Sequence, residues 1–298
     1  MSERWWQHDR ERLARELALC GGNSAELARK YGLNRTTLNP WIKKHGINTA
    51  PRPQDDRFVF PQMGELCFTG DWMLTSDWHL PIVDYSLVDR MVNDAIKLGV
   101  KNLCIAGDWF NFDALSDYMP KQSDAALPRE LQDSNRLMDW LLDVFEVIVI
   151  TLANHDVRLV KTLGYRMRFD HSMRVCFYDV PLEKMARVKI TNLDYVIIDS
   201  AGEKWRVCHS NSYSKNQLVH PSQFAEKYRM NVASGHRHHH AIGFSTSGYR
   251  VLELGGLFDT ARTEYLQRWT NSFPRWQPGY SALIEGRVYC PMLSDHPM

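Results

Sequence analysis

The sequence predicts a layered α/β domain, a β-sandwich flanked by helices, with a small all-α domain in front of it. Three observations carry that expectation. Short apolar runs recur over residues 69–298 and alternate with longer amphipathic stretches, as in a sheet with helical crossovers. Each of six such runs ends in a polar or metal-binding type of residue, so the chemistry collects at one sheet edge. Residues 1–48 contain no such run and space their leucines as helices do.

In chain order, Leu13 and Leu17 sit in an Arg- and Glu-rich stretch and predict an amphipathic helix. In "NSAELARKYGLNRTTLNPWIKKHGI", Ser24 is the expected N-cap of a second helix with Leu27 and Ala28 facing inward. Gly32 marks a turn, and Asn34 caps a third helix with Leu38 and Trp41 inward and Pro40 inside it. This pair resembles the helix-turn-helix of recombinases and many phage proteins, whose second helix enters the major groove. Arg35, Thr36, Thr37, Lys43 and Lys44 would then meet DNA. An oligomerisation or docking module is the alternative reading of the same spacing. The first 50 residues hold nine basic against five acidic side chains and the remainder 27 against 30, which favours nucleic-acid contact by the front module.

Residues 49–68 contain prolines and no sustained periodicity, and are expected to link a domain at 1–48 to one at 69–298. Beyond the linker, "WMLTSD", "KNLCIAGD", "VIVITLANHD", "YVIIDS", "WRVCHS" and "NVASGHRH" read as strands, and "DYSLVDRMVNDAIKLGV" and "PRELQDSNRLMDWLLDVF" as helices. The late aromatic-rich segment "YLQRWTNSFPRWQPGY" would cover the site, stack bases or pack in the core.

At 298 residues, 44% hydrophobic and 24% charged, the composition is that of a soluble globular chain. No apolar run is long enough to span a membrane, and the start is too charged for a signal peptide, so a cytoplasmic protein without membrane contact is expected. The six cysteines form no CxxC pair and read as buried thiols rather than a disulfide framework or thiolate zinc site. Oligomeric state leaves no mark in the sequence.

Five strand ends supply the chemistry: Asp77 and His79 in "SDWH", Asp108 in "GDWF", Asn154 and His155 in "ANHD", His209 in "CHS", and His236 with His238 in "GHRH". Period-two spacing in Asp77/His79 and His236/His238 would send both side chains of each pair to one side of an extended chain. Carboxylates and neutral imidazoles suit divalent Mn, Fe or Zn, and the seven candidates besides His155 exceed what one tetrahedral ion takes. A carboxylate shared by two ions about 3.5–4 Å apart clamps the attacking and leaving oxygens of phosphoryl transfer. Cys208 points by alternation to the opposite face from His209 and reads as core. Arg237 and His239 are expected to point away from the site, with His239 replaceable at little cost. His240 shares the ligands' parity and would line the cleft or face solvent, and the glycine before His236 would let the chain turn into the site.

In this order, from Asp77 to His238, the motifs DxH, GDxx, xNHD, a lone His and GHxH resemble the calcineurin-like metallophosphoesterase family. The resemblance implies a metallophosphoesterase-type β-sandwich holding two divalent ions, Mn first, with Fe or Zn as alternatives. It implies that Asp77, His79, Asp108 and His238 hold one ion, that Asp108, Asn154, His209 and His236 hold the other, and that Asp108 bridges them. His155 would sit over the scissile phosphate as acid or charge stabiliser, with Asp156 orienting its ring. Ala153 stands where the family usually has glycine, which requires a negative φ there. Arg158, Tyr213 and Lys215 are candidates to hold substrate phosphate, or are simply surface residues. The function expected is that of a metal-dependent phosphodiesterase or nuclease acting on DNA. The alternatives are a phosphatase or phosphodiesterase for nucleotides, phosphoproteins or other small esters, and a non-catalytic DNA-binding regulator.

Overall fold

The computed structural model describes residues 4–20, 23–47, 64–116, 126–212, 214–263 and 276–291. The chain divides into two compact units, Met1–Gln62 and Met63–Met298.

In the first unit, helices α1 (Arg10–Leu19), α2 (Ser24–Lys30) and α3 (Arg35–Lys44) enclose Trp6, Leu13, Leu17, Leu27, Leu38 and Ile42. Asp9 caps α1 by accepting the Arg12 amide at 2.9 Å, and Asn34 caps α3 by accepting the Thr36 amide at 3.1 Å. The cap of α2 is Asn23 rather than Ser24, because Asn23 keeps an extended backbone while Ser24 is already helical. Asn23 Oδ1 accepts the Ala25 and Glu26 amides at 3.1 and 3.4 Å. Ile42, one helical turn beyond Leu38, takes the core position expected for Trp41, which is half-buried. The helix continues through Pro40, which is exposed and lacks only the amide that would face the Thr36 carbonyl. Arg35, Thr36, Thr37, Lys43 and Lys44 are all exposed on α3.

The second unit is the expected layered sandwich flanked by helices. One sheet has the order β12-β11-β2-β3-β4-β5, built from β2 (Trp72–Thr75), β3 (Asn102–Ile105), β4 (Val147–Ile150), β5 (Val188–Ile190), β11 (Ser281–Ile284) and β12 (Arg287–Tyr289). The other has the order β1-β6-β7-β8-β10-β9, with β1 (Cys67–Thr69), β6 (Tyr195–Ser200), β7 (Glu203–His209), β8 (Asn231–Gly235), β9 (His240–Phe244) and β10 (Arg250–Leu254). Cys67 and Phe68, at the end of the expected linker, are thus already paired to β6.

Strand alternation explains why these runs are apolar throughout: each covers two layers. Trp72, Leu74, Cys104 and Val149 point between the sheets to meet Val196, Ile198, Trp205, Val207, Ala233 and Leu252. Met73, Leu103, Ile105, Ile148 and Ile150 point outward, under α4 (Tyr85–Leu98) and α5 (Ala126–Val144). On the opposite outer face, Cys208, Val232 and Val251 pack with Ala225 of the helix Val219–Tyr228. Cys208 is thus in the core, as its parity implies.

The topology aligns strand ends. β2, β3 and β4 run parallel, as do β7 and β8, so all five carboxyl ends open at a common edge of the two sheets. Among the described residues, no helix is long and apolar enough to cross a membrane.

Asn23→Ala is expected to destabilise the helical unit by about 1 kcal/mol and Ser24→Ala by much less. Paired thermal melts followed by circular dichroism give the ranking.

Candidate metal centre

The seven candidate ligands do converge, but not by strand alternation. Asp77 and His79 have φ of 55° and 48°, Asp108 of 51°, and His236 and His238 of 86° and 57°. Each is a left-handed, non-glycine residue, costing on the order of 1–3 kcal/mol unless its surroundings fix it. Backbone ties do so here. The Trp78 and His79 amides both donate to the Asp108 carbonyl at 2.8 and 3.0 Å, and the Asp77 amide to Gly107 O at 3.1 Å. Leu257 N donates to Asp77 O at 2.9 Å and Gln277 N to His238 O at 2.7 Å. Because the chain coils, Asp77 meets His79, while His236 and His238 turn to different ligand groups.

The glycines act by what they lack. Gly235 has no positive φ, so it does not turn the chain; a Cβ there would enter the Ser76 side chain and approach Asp77 Oδ2. Gly107 does have a φ of 74°, and a Cβ there would run into Ala153 and the His209 ring. Ala153 is not among the positive-φ residues, so its side chain is accommodated.

Among the described residues, Asp77, His79 and His238 form one group whose ligand atoms lie within 4.8 Å of one another, and Asp108, His209 and His236 form another, while His155 forms a third with His79 and Asp108. Asp77 Oδ1 lies 3.0 Å from His238 Nε2 and 3.6 Å from His79 Nε2. Asp108 Oδ2 stands between the groups, 3.3 Å from His209 Nε2 and 3.9 Å from His79 Nε2. Asn154 Oδ1 is 2.9 Å from His209 Nε2, and the His236 ring centre is 5.1 Å from that of His209.

The donor set fits a cation. His209 Nδ1 sits 2.8 Å from the Ala106 carbonyl, so the neutral ring turns a bare Nε2 toward Asn154 Oδ1 and Asp108 Oδ2. Three acceptor atoms meet there, which only a proton or a metal ion reconciles. On the other side, Asp77 Oδ1 is buried and receives no directed hydrogen bond.

The same competition sets the protonation of these groups. Burial alone would raise the Asp108 carboxyl, but the charges of His209, His155 and His79 pull it far below the usual range. Burial would lower His209, yet the charge and hydrogen bond of Asp108 and the charge of Asp77 hold it up, at about 9. Asp77 is likewise held well down despite burial, chiefly by His238, whereas burial takes His236 down to about 4.

His155 stands beside this centre, and its backbone amide donates to Asp108 Oδ1 at 2.9 Å. Asp156 does not orient its ring, because its carboxylate is spent on the amides of Trp109 and Phe110 at 3.2 and 2.8 Å. The ring is held by the Asn111 carbonyl, 2.8 Å from Nδ1. Arg158 is drawn in as well: Nη1 donates to Asn111 O at 2.6 Å and Asp113 Oδ1 at 3.0 Å, and Nη2 lies 3.4 Å from His155 Nε2. Burial brings His155 down to about 3, leaving it neutral. Lys215 is exposed, and Tyr213 lies outside the described residues.

Arg237 and His239 point away from the ligands, into the fold. Arg237 Nη2 meets Glu253 Oε1 at 2.7 Å and His239 Nδ1 meets Oε2 at 3.2 Å, with all three side chains buried. His239 is therefore not a replaceable neighbour, since its loss would leave a buried carboxylate short of a partner. His240 neither lines the cleft nor faces solvent: it is buried with Nε2 3.0 Å from Tyr280 O. Trp276, from the late aromatic segment, sets its ring 4.6 Å from His238 and 5.5 Å from Phe258.

Sequence reading missed Asn111, Glu130 and Glu253. Asn111 acts through its backbone, which no residue pattern advertises. Glu253 did leave a signal, a single charge inside "VLELGG", as did Glu130 on the buried face of an amphipathic helix.

No family model matches the chain, and no curated protein matches it. Solved structures do. One is Vacuolar Protein Sorting 29 from Cryptosporidium parvum, at 12% identity over 74% of this chain and 95% of that one, TM-score 0.40. Zinc-complexed Vps29 from Entamoeba histolytica is similar at 9% identity over 74% and 97%, TM-score 0.35. The nuclease MPE of Pseudomonas putida is similar at 14% identity over 74% and 87%, TM-score 0.28. The assignment of the site rests on the residues of this chain.

Because His209 keeps its proton up to about pH 9 without metal, a divalent ion must displace it. Metal uptake at pH 7 is expected to release protons, and apparent affinity to rise with pH toward 9. Titration calorimetry in buffers of different ionisation enthalpy measures both.

Proposed function

We propose that the second unit is a dinuclear metal-dependent phosphoesterase acting on phosphodiesters, and that the first unit presents DNA to it. The observation that carries the reading is the position of Asp108 Oδ2 between two ligand groups. Asp77, His79, His238 and Asp108 would hold one divalent ion, and Asp108, Asn154, His209 and His236 the other. Mn is the first candidate for this mixed oxygen and imidazole set, with Fe or Zn as alternatives. When bound, such ions supply positive charge for a phosphoryl group and activate the attacking water.

The chain's own residues do the rest. Asp108 and Asp77 place negative charge where the cations are needed and keep the imidazoles aimed inward. His155 rests neutral with Nε2 bare beside the Arg158 guanidinium. An anionic ester bound there favours uptake of a proton from solvent at His155 Nε2, and the imidazolium then gives that proton to the leaving oxygen as its bond to phosphorus breaks. Arg158, already fixed by Asn111 O and Asp113, offers its outer nitrogen to a phosphate oxygen at little further ordering cost. The exposed basic residues of α3 and the net positive charge of the first 50 residues support DNA as the polymer.

Wild type is expected to hydrolyse bis(p-nitrophenyl) phosphate and DNA with Mn²⁺, and Asp108→Ala and His155→Ala to lose about 10²–10⁴-fold in kcat. Combined Arg35→Ala, Lys43→Ala and Lys44→Ala should weaken DNA binding and flatten its salt dependence by about 2–3 logarithmic units per decade. Wild-type turnover no greater than that of the variants would refute the reading. Fast monoester turnover without DNA affinity would move the substrate to small phosphate esters.

A further inference from the structure

Glu130 belongs to no motif, yet it is only 3% exposed on α5, beside a face that turns Leu137, Met138 and Leu141 into the core. A carboxyl group buried there must be satisfied. Its Oε1 alone accepts two consecutive backbone amides, Asn111 N at 2.9 Å and Phe112 N at 2.8 Å. Phe112 N–H and Asn111 C=O are the two ends of one peptide unit. That same carbonyl receives His155 Nδ1 at 2.8 Å and Arg158 Nη1 at 2.6 Å. An acceptor on the N–H end of an amide polarises it and strengthens its oxygen as an acceptor. Phe112 has a φ of 49°, a left-handed conformation that a bulky residue keeps only when neighbours hold it.

We propose that Glu130 is a positioning residue: through the Asn111–Phe112 peptide it holds His155 in the Nδ1–H tautomer and the Arg158 guanidinium beside Nε2. Its role in turnover rests on the phosphoesterase reading, whereas its role in ring geometry does not. The amides it binds belong to no candidate metal ligand, so its loss should separate catalysis from metal binding. Asp156 serves the preceding amides of Trp109 and Phe110, and the two carboxyl groups divide the loop between them. Burial raises the Glu130 carboxyl to about 8, so near neutrality it is mostly protonated and Oε1 accepts as a carbonyl oxygen does. A glutamine amide reproduces that acceptor, and a methionine of similar volume does not.

The test uses the full chain loaded with Mn²⁺ and bis(p-nitrophenyl) phosphate as substrate. Glu130→Met is expected to lower kcat about 10–100-fold while KM and bound metal stay within about twofold of wild type, and Glu130→Gln to recover to within about threefold. Nitrogen-15 shifts of the His155 ring, read without turnover on the chain loaded with diamagnetic Zn²⁺ in place of Mn²⁺, should report Nδ1–H in wild type and Glu130→Gln and a tautomer mixture in Glu130→Met. Three results overturn the proposal: wild-type kcat and tautomer in Glu130→Met, a kcat that falls only together with bound metal, or a glutamine variant as impaired as the methionine one. Should Glu130→Met fail to fold, Glu130→Asp, which withdraws the carboxyl by one methylene, is judged by the same criteria. A wild-type chain that cleaves no ester refutes the phosphoesterase reading, and the ring shifts then still decide the role of Glu130.

Discussion

One buried carboxylate, that of Asp108, ties together the loops on which everything else depends. Its Oδ1 accepts the His155 amide, its Oδ2 faces His209 and His79, and its own carbonyl holds the amides of Trp78 and His79. Three strand-end loops are thereby fixed by one residue, itself in a left-handed conformation. A carboxylate 1% exposed is costly unless positive charge compensates it, and the surrounding imidazoles supply that charge only while they keep protons. The same geometry accepts divalent ions in place of those protons. Strain in the loops, depressed carboxyls and a raised histidine are therefore consequences of a single arrangement.

The sandwich makes that arrangement possible. Parallel neighbours bring the ends of β2, β3 and β4 together, and the second sheet adds β7 and β8 across a core of Trp72, Leu74, Trp205 and Val207. Behind the ligands, the Arg237–Glu253–His239 group is closed off from water and stiffens the segment from which His236 and His238 project. Isolated, each charge in that group would be prohibitive to bury; together they fix the direction of the chain. Catalytic candidates thus stand on loops, but loops clamped by hydrogen bonds to their neighbours on both sides.

Much of this was legible in the sequence, and particular residues show why the rest was not. The apolar runs betrayed the strands because each is covered on both faces, and the polar residues at their ends marked the sheet edge. The convergence of Asp77, His79, His236 and His238 on one centre does not come from alternation, which needs extended chain, because these residues coil. Gly235, expected to let the chain turn into the site, is small because Ser76 and Asp77 press against it. His240 carries the right parity yet follows a turn that breaks the count, so it enters the core. Asn111 orients the His155 ring in place of Asp156, because a backbone carbonyl does the work a side chain was expected to do. Capping followed the same pattern: Ser24 is the expected cap of α2, but it is already helical, and the cap is its extended neighbour Asn23.

The proposed sharing of Asp108 by two ions is open to manganese, which reports it directly through its spin. Electron paramagnetic resonance of the full chain with two equivalents of Mn²⁺ should show an exchange-coupled pair, and Asp108→Ala should abolish the coupling. Saturation at a single ion per chain, or a spectrum of isolated ions at two equivalents, would show that Asp108 bridges no pair.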